Sequence, residues 1–363
     1  MNRRPSECPR SGCHVHLLFG IESAAHPSRL PLLSRSVSPQ AQFSGDKPHN
    51  PVVQTASGDL MSREIKDPIE DAIHRLSRAG DAECDYLSES RDHLPSIERL
   101  GEAVELIRAI TFPGYFGGPV LRRESLPHFL GVRVEKLFGL LCEQIASVRL
   151  FHAGEENGYR KPAEAADTAM RFIAGLPEIR RVLCSDVKAI YDGDPAAKSH
   201  GEIIFCYPSI RAMINHRSAH ALLRLSVPLI PRIISEMAHS ETGIDIHPGA
   251  VIGESFSIDH GTGVVIGETC VIGNHVRLYQ GVTLGAKKFE IDAAGNPVKD
   301  VPRHPIIEDN VVVYSNANIL GRITIGRNST IGGNVWLTRS VPPHSRILQQ
   351  KAVETSFTDG LGI

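Results

Sequence analysis

His260 is the residue of this sequence best suited to acid–base chemistry. It stands in the stretch Ile-Asp-His-Gly-Thr-Gly, and Asp245 precedes it by fifteen residues. A neutral imidazole accepts a proton near pH 7, and a carboxylate on its second ring nitrogen fixes the tautomer and stabilises the imidazolium. We therefore expect His260 to act as a general base oriented by Asp245, the arrangement of a catalytic triad without its nucleophile.

The elements that must position these residues repeat every six residues. Aliphatic residues recur with that spacing over residues 246–284 and again over 307–337, and glycine follows many of them. A helical period of 3.6 or a strand period of two does not produce this spacing, whereas short strands joined by tight corners do. The pattern predicts a hexapeptide parallel β-helix at 243–341. Because the repeat slips by two residues at His260, that side chain is free to point into a cleft.

Two further segments complete the folded part of the chain. A charged stretch with Gly and Pro interrupts the repeat, and we expect it to form a protruding loop at 286–305. Over residues 61–242, apolar residues recur at the spacing of amphipathic helices. The predicted fold class is therefore α+β, with an N-terminal α-helical domain followed by the β-helix.

The two ends of the chain lack any such periodicity. Residues 1–60 are rich in Pro, Ser, Arg and His. We expect this segment to be disordered or to reflect an over-long start, with a transit peptide as the alternative interpretation. Residues 342–363 are predicted to form a flexible C-terminal tail.

The composition argues against several classes of function. A formal net charge of −2 gives no sign of the basic surface that nucleic-acid binding requires. No stretch approaches the ~18 consecutive apolar residues of a membrane-spanning helix. The seven cysteines, an odd number without a C-x-x-C pair, indicate reduced thiols. We therefore expect a cytoplasmic protein that acts on small molecules and binds neither nucleic acid nor membrane.

Histidines are numerous enough in the repeat to raise the question of a metal site. The four to consider are His247, His260, His275 and His304. Their spacing predicts no compact set of ligands, and the pairing of His260 with Asp245 has a catalytic explanation that needs no metal. We expect no metal cofactor.

The text of the repeat carries a family resemblance. From residue 243 the chain reads GIDIHPGAVIGESFSIDHGTGVVIGETCVIGNHVRLYQGVTLGAK, and Arg-His-Pro follows the loop at 303–305. This text closely resembles the serine O-acetyltransferases, and the likeness extends back through residues 194–196 and 216–220. The resemblance implies a left-handed coil and a homotrimer or hexamer with each active site between adjacent coils. It also implies direct acetyl transfer from acetyl-CoA to L-serine, a step of cysteine biosynthesis.

By the same resemblance, four residues would bind the acceptor amino acid. Asp194 and Asp259 would meet the ammonium and hydroxyl groups of serine, and Arg303 with His304 would meet its carboxylate. Arginine suits the last task because its planar guanidinium binds a carboxylate through two hydrogen bonds. Taken alone, Asp194 before a proline is also typical of a helix N-cap or turn.

The resemblance places contacts with acetyl-CoA at Gly285 and Ala286. These residues end the Val-Thr-Leu-Gly stretch, and the loop that follows them carries Lys287 and Lys288. Shorter members of the family have a glycine-rich loop at this point. Here the loop is longer and charged.

The end of the chain suggests a protein partner. Serine acetyltransferases often end in an isoleucine that enters the active site of cysteine synthase, and this chain closes with Gly-Leu-Gly before Ile363. A free carboxylate beside an apolar side chain can be captured by backbone N–H groups and a small pocket. The resemblance therefore implies binding to cysteine synthase through Ile363, with a frayed terminus as the alternative.

Two other functions compete with serine acetylation. One is a hexapeptide acyltransferase that acts on a sugar or another hydroxyl acceptor, which would have no use for the amino-acid contacts at Asp194, Asp259, Arg303 and His304. The other is a non-catalytic β-helix scaffold. A scaffold would leave the arrangement of His260 without a purpose.

Overall fold

The computed structural model describes four segments of the chain, residues 68–78, 94–117, 121–153 and 162–350. The chain forms two units, Met1–Ala79 and Gly80–Ile363. In the first unit the described residues form a helix, α1, over residues 68–76. The segment predicted to be disordered at 1–60 lies outside the described residues, as do Ile363 and most of the predicted tail.

Helices make up the first part of the second unit. Within its described residues these are α2 (Ile97–Thr111), α3 (Leu126–Ala153), α4 (Pro162–Gly193), α5 (His200–Cys206), α6 (Pro208–Arg224) and α7 (Ile230–Thr242). Their apolar stripes meet in a shared core, where Leu100, Leu141, Phe172 and Ile214 are buried. The helical part predicted from the 3.6-residue spacing is therefore confirmed.

Helix α4 contains a proline in its interior. Within the predicted helical domain it runs from Pro162 through Pro177 to Gly193. A proline inside a helix removes one backbone hydrogen bond. The turns after Pro177 bury Leu183 and Val187 in the core, and we attribute the continuation to this burial.

Short strands follow the helices. They are β1 (Asp245–Ile246), β2 (Val251–Ile252), β3 (Ser257–Asp259), β4 (Val265–Ile266), β5 (Val271–Ile272), β6 (Arg277–Tyr279), β7 (Thr283–Gly285), β8 (Ile306–Ile307), β9 (Val312–Val313), β10 (Asn318–Leu320), β11 (Thr324–Ile325), β12 (Thr330–Ile331), β13 (Trp336–Leu337) and β14 (Arg346–Ile347). They form three parallel sheets ordered β1-β4-β7-β10-β13, β2-β5-β8-β11 and β3-β6-β9-β12-β14. From β1 to β13 every third strand returns to the same sheet, which confirms the predicted parallel β-helix. Strand β14 comes two strands after β12 and pairs with it.

The repeated aliphatic residues form the interior of this β-helix. In the first sheet, strand register stacks Ile246 on Ile266, Ile266 on Leu284, Leu284 on Ile319 and Ile319 on Leu337. All five side chains are buried. The six-residue period thus places one apolar side chain of each strand on the same interior column, and burial of these columns supplies the hydrophobic stabilisation of the coil.

A buried ion pair joins the helices to the first coil. Asp186 on α4 is fully buried and accepts hydrogen bonds at 2.8 Å from Nε and Nη2 of Arg217 on α6. Oδ1 of Asp186 also accepts from the backbone N–H of Phe256 at 3.0 Å, and Arg217 donates to the carbonyl of Gly253 at 2.9 Å. The pair therefore satisfies backbone groups of the coil as well as its own charges.

The chain leaves the β-helix once, between β7 and β8, where the loop was expected. Residues 287–300 of this loop are exposed, and Ile291 and Pro297 form an antiparallel bridge within it. Strand β14 pairs with β12 and lies beyond residue 341. The division of the chain at residues 60, 242 and 341 stays a prediction. Across the described ranges, no helix has the length and apolar character needed to cross a bilayer.

Candidate active site

His260 lies at a corner of the first coil, directly after β3. Its backbone has a φ of 58°, and Gly261 and Gly263 also have positive φ, of 92° and 76°. The two-residue slip in the repeat falls in this turn. A left-handed backbone also occurs at regular corners of the coil, among them His275 and Asn310, and histidine and asparagine adopt it more readily than most residues. The His260 side chain is 72% exposed, and its Nδ1 lies 3.9 Å from Oδ1 of Asp259. We call residues 259–263 the first corner.

Asp194 faces the first corner from the end of α4. Its Oδ1 accepts from the backbone N–H of Ala196 at 2.8 Å, and its Oδ2 accepts from the hydroxyl of Tyr207 at 2.5 Å. The Tyr207 hydrogen bond is the main cause that lowers the pKa of Asp194, with a smaller contribution from His260. Asp194 and Asp259 line one small cleft, so the structure brings together three of the predicted site residues.

Arg303 and His304 lie at a different corner of the coil. They return from the loop to pack on the turn at residues 267–270, which joins β4 to β5 and which we call the second corner. Nη2 of Arg303 donates to Oε2 of Glu268 at 2.6 Å, and the backbone N–H of Arg303 donates to Oγ1 of Thr269 at 2.9 Å. In a single chain, therefore, this pair is anchored away from His260.

The imidazole of His304 is held as a neutral hydrogen-bond donor. Its Nδ1 accepts from the backbone N–H of Thr269 at 3.1 Å, and burial lowers its pKa to about 4. A neutral ring whose Nδ1 accepts a hydrogen bond carries its proton on Nε2. The ring also lies against Gly267, where an added Cβ would come within 2.1 Å of Nε2. Glycine at 267 is thus required by the close approach of the ring.

Asp245 occupies the outer side of β1. Its carboxylate lies in a group with Glu236 and His239 of α7, in which one ligand atom of each residue is within 4.8 Å of the others. In the described part of one chain, Asp245 and His260 form no hydrogen bond or ion pair. The predicted pairing of these two residues therefore stays a prediction, as does the absence of a metal.

A larger cavity of about 250 Å³ opens beside the loop. Gly285 ends β7 and Ala286 follows it, and the cavity is lined by Lys287, Lys288 and Arg322 together with apolar groups of Val298, Leu320 and Ile323. Nη1 of Arg322 donates to the carbonyls of Thr269 at 2.6 Å and His304 at 3.0 Å, which ties the cavity wall to the second corner. Cationic and apolar groups together suit a ligand with phosphates and an apolar arm.

The chain is similar to known proteins in both sequence and structure. The family described as bacterial transferase hexapeptide (six repeats) matches residues 304–339. A protein named serine acetyltransferase, plasmid, from Synechococcus elongatus is 53% identical over 282 residues, which cover 76% of this chain and 88% of the relative. Bacillus subtilis serine acetyltransferase is 44% identical over 168 residues, 46% of this chain and 73% of the relative.

Two solved structures from Entamoeba histolytica share the fold. Serine acetyltransferase isoform 3, in complex with cysteine, has a TM-score of 0.60 and 33% identity, and the match covers 80% of this chain and 93% of that one. Serine acetyltransferase 1, in complex with L-cysteine, has a TM-score of 0.59 and 35% identity, with coverage of 70% and 86%. Both similarities extend over the helices as well as the β-helix.

Proposed function

Because the chain belongs to the serine acetyltransferase family, we propose that it transfers acetyl from acetyl-CoA to the hydroxyl of L-serine with His260 as the general base. The predicted family and enzyme class are confirmed by the relative that is 53% identical. The observation that carries the assignment of the base is the geometry of the first corner. An exposed imidazole in a left-handed turn stands beside two carboxylates, Asp194 and Asp259, which can attract the ammonium group of an amino acid.

The proposed reaction is a direct displacement. The serine hydroxyl attacks the thioester carbonyl while His260 takes the hydroxyl proton, and a tetrahedral intermediate forms. When the intermediate collapses, the C–S bond breaks and the imidazolium returns the proton to the leaving CoA sulfur. A cysteine nucleophile is not needed. Cys270, the buried thiol of the coil, has its pKa raised to about 12 by burial, which disfavours the reactive thiolate.

We propose that a complete site forms between copies of the chain, in a homotrimer or hexamer. The separation of the two corners supports this. One chain presents Asp194, Asp259 and His260 at the first corner, and a neighbouring copy would supply Arg303 and His304 from its second corner. A guanidinium and a neutral Nε2–H donor would then bind the serine carboxylate. The same packing would give Asp245 of a neighbouring copy the opportunity to orient His260.

The cavity beside the loop is our proposed site for acetyl-CoA. Gly285 and Ala286 lie at its edge, as the family resemblance implies. Lys287, Lys288 and Arg322 would attract the phosphates, and the apolar wall would contact the pantetheine arm. In this chain, the proposed contacts with the phosphates thus come from lysines at the start of a long loop, at the point where shorter family members have a glycine-rich loop.

Acceptor choice tests the proposed function. We expect purified full-length protein to release thiol from acetyl-CoA when L-serine is added. A sugar and N-acetyl-L-serine methyl ester, which lacks both charged groups, should serve as matched poor acceptors. Thiol release with the sugar but not with serine would instead support the hexapeptide sugar acyltransferase. Release with neither would contradict an acetyltransferase of either kind.

We also place this reaction in cysteine biosynthesis in the cytoplasm. Acetylation converts the serine hydroxyl into a leaving group that a sulfur nucleophile can displace. The described cysteines, which include Cys142, Cys184 and Cys206, are free thiols, in keeping with a reducing compartment.

Removal of Ile363 is expected to abolish binding to cysteine synthase while acetyl transfer continues. The physical reason is that an apolar terminal side chain with a free carboxylate can occupy a site built for an amino-acid substrate. Titration calorimetry of purified cysteine synthase with the full chain and with the Ile363-deleted chain would measure this. Equal binding of the two proteins, or binding by neither, would contradict the proposal.

A further inference from the structure

Two contacts hold the end of α4 over the first corner. Nη1 of Arg277 donates to the carbonyl of Gly193 at 3.0 Å, and the hydroxyl of Tyr207 donates to Oδ2 of Asp194 at 2.5 Å. We propose that Tyr207 and Arg277 are positioning residues that fix the Asp194 carboxylate for binding of the acceptor amino acid. The proposal rests on the proposed function. It adds two residues that do not themselves react.

Arg277 reaches α4 from the second coil. Its strand β6 pairs with β3, with Arg277 opposite Ser257 and Tyr279 opposite Asp259. The guanidinium packs so closely on α4 that a Cβ added to Gly193 would lie 1.6 Å from Nη2. The φ of Gly193 is not positive, so its backbone conformation does not require glycine, but an alanine at this position would push the guanidinium aside. The lack of a side chain at Gly193 thus leaves room for the Arg277 guanidinium.

We call the contacts of Arg277 with Gly193 and of Tyr207 with Asp194 the clamp. Tyr207 contributes to it from the helical part of the chain. It stands between α5 and α6, ahead of Pro208, with an extended backbone. The hydrogen bond to Asp194 is the main cause that raises the pKa of Tyr207, and the charges of Glu202 and Asp259 raise it further. The hydroxyl therefore stays protonated and acts as a donor.

The clamp leaves Asp194 with a defined orientation. One of its oxygens accepts from Tyr207 and the other from the N–H of Ala196, while each carboxylate oxygen has two lone pairs. Asp194 lines the cleft that it shares with Asp259, so its remaining lone pairs are available to a ligand bound there. A contact made equally in the ground state and the transition state changes KM and leaves kcat unaltered. Loss of the clamp should therefore appear in the KM for serine.

The first experiment removes each half of the clamp in the full-length enzyme. Tyr207→Phe deletes one oxygen, and Arg277→Ala deletes the guanidinium. We expect each to raise the KM for serine by about tenfold, with kcat and the KM for acetyl-CoA within about twofold of wild type. Tyr191→Phe and Arg346→Ala are the matched controls. Arg346 lies on the same sheet as Arg277, in the register that runs through Val312 and Thr330, but far along the coil.

A double-mutant cycle tests the contact itself. Gly193→Ala should displace the guanidinium and raise the KM for serine as Arg277→Ala does, and the double variant should be no worse than either single one. Additive effects would overturn the role of Arg277. An unchanged KM for serine in Tyr207→Phe, or an equal change in kcat and in both KM values, would overturn the clamp. If Arg277→Ala does not fold, the KM for serine of Tyr207→Phe alone tests the clamp.

These outcomes are distinct from failure of the proposed function. A wild-type enzyme without serine-dependent thiol release would overturn both the function and the clamp. An active wild-type enzyme with a normal KM for serine in Tyr207→Phe would overturn the clamp alone. Thermal unfolding of every variant, with a midpoint close to that of wild type, separates positioning from a loss of fold.

Discussion

Replacing His260 with asparagine is expected to lower kcat by at least ~10²-fold, the scale that general-base catalysis usually contributes. Asparagine is the better test than alanine because it tolerates the left-handed backbone that His260 adopts at a φ of 58°. It has no group that accepts a proton near pH 7. The fold should therefore remain while the proton acceptor is lost.

A matched histidine provides the control for this loss. His275 also occupies an exposed corner with a φ of 57°, in the second coil between β5 and β6. His275→Asn should turn over at close to the wild-type rate, measured as thiol release at saturating serine and acetyl-CoA. Near-normal turnover in His260→Asn would eliminate His260 as the base. An equal loss in both variants would indicate a general effect on the coil.

Replacing Asp186 with alanine is expected to lower the free energy of unfolding by about 3–5 kcal/mol, the usual cost of leaving a buried charge without its partner. Asp186 is completely buried and the Arg217 side chain is only 9% exposed. The variant would leave the guanidinium of Arg217 without its carboxylate partner and the backbone N–H of Phe256 without its acceptor. Urea denaturation at a fixed protein concentration would measure the change.

The control for this prediction bridges the same two parts of the chain. Arg181 on α4 forms an ion pair with Glu254 on the first coil, but both side chains are about half exposed. Solvent screens such a pair, so Glu254→Ala should cost much less stability than Asp186→Ala. If the two variants lost equal stability, or if Asp186→Ala lost none, the buried pair would not be what stabilises this junction.

The buried ion pair and His260 have different roles, one in stability and one in the reaction. The ion pair of Asp186 and Arg217 attaches α4 to the first coil, and the end of α4 carries Asp194 to the first corner. Breaking the ion pair should therefore affect binding of the acceptor only if it changes the position of α4. This makes Asp186 a determinant of stability and His260 a determinant of rate.

Much of the fold follows from the sequence alone. The six-residue spacing predicts the β-helix because each short strand must bury one aliphatic residue. In the structure these residues stack in columns, one of which runs through Ile246, Ile266 and Leu284. The slip of two residues likewise predicts an exceptional corner at His260. Both features are local, since they depend on residues only a few positions apart.

The tertiary structure alone decided how distant segments meet. The contacts of Tyr207 with Asp194 and of Arg277 with Gly193 join residues 13 and 84 positions apart, and no local period encodes such a contact. Helix α5 lies within the segment predicted to be helical, but a helix as short as His200–Cys206 offers too few turns for a period to mark where it begins and ends. The placement of Arg303 and His304 at the second corner depends on how the long loop folds back. The sequence therefore determined the repeat and its exceptional corner, which local burial dictates, whereas long-range packing decided which side chains share a site.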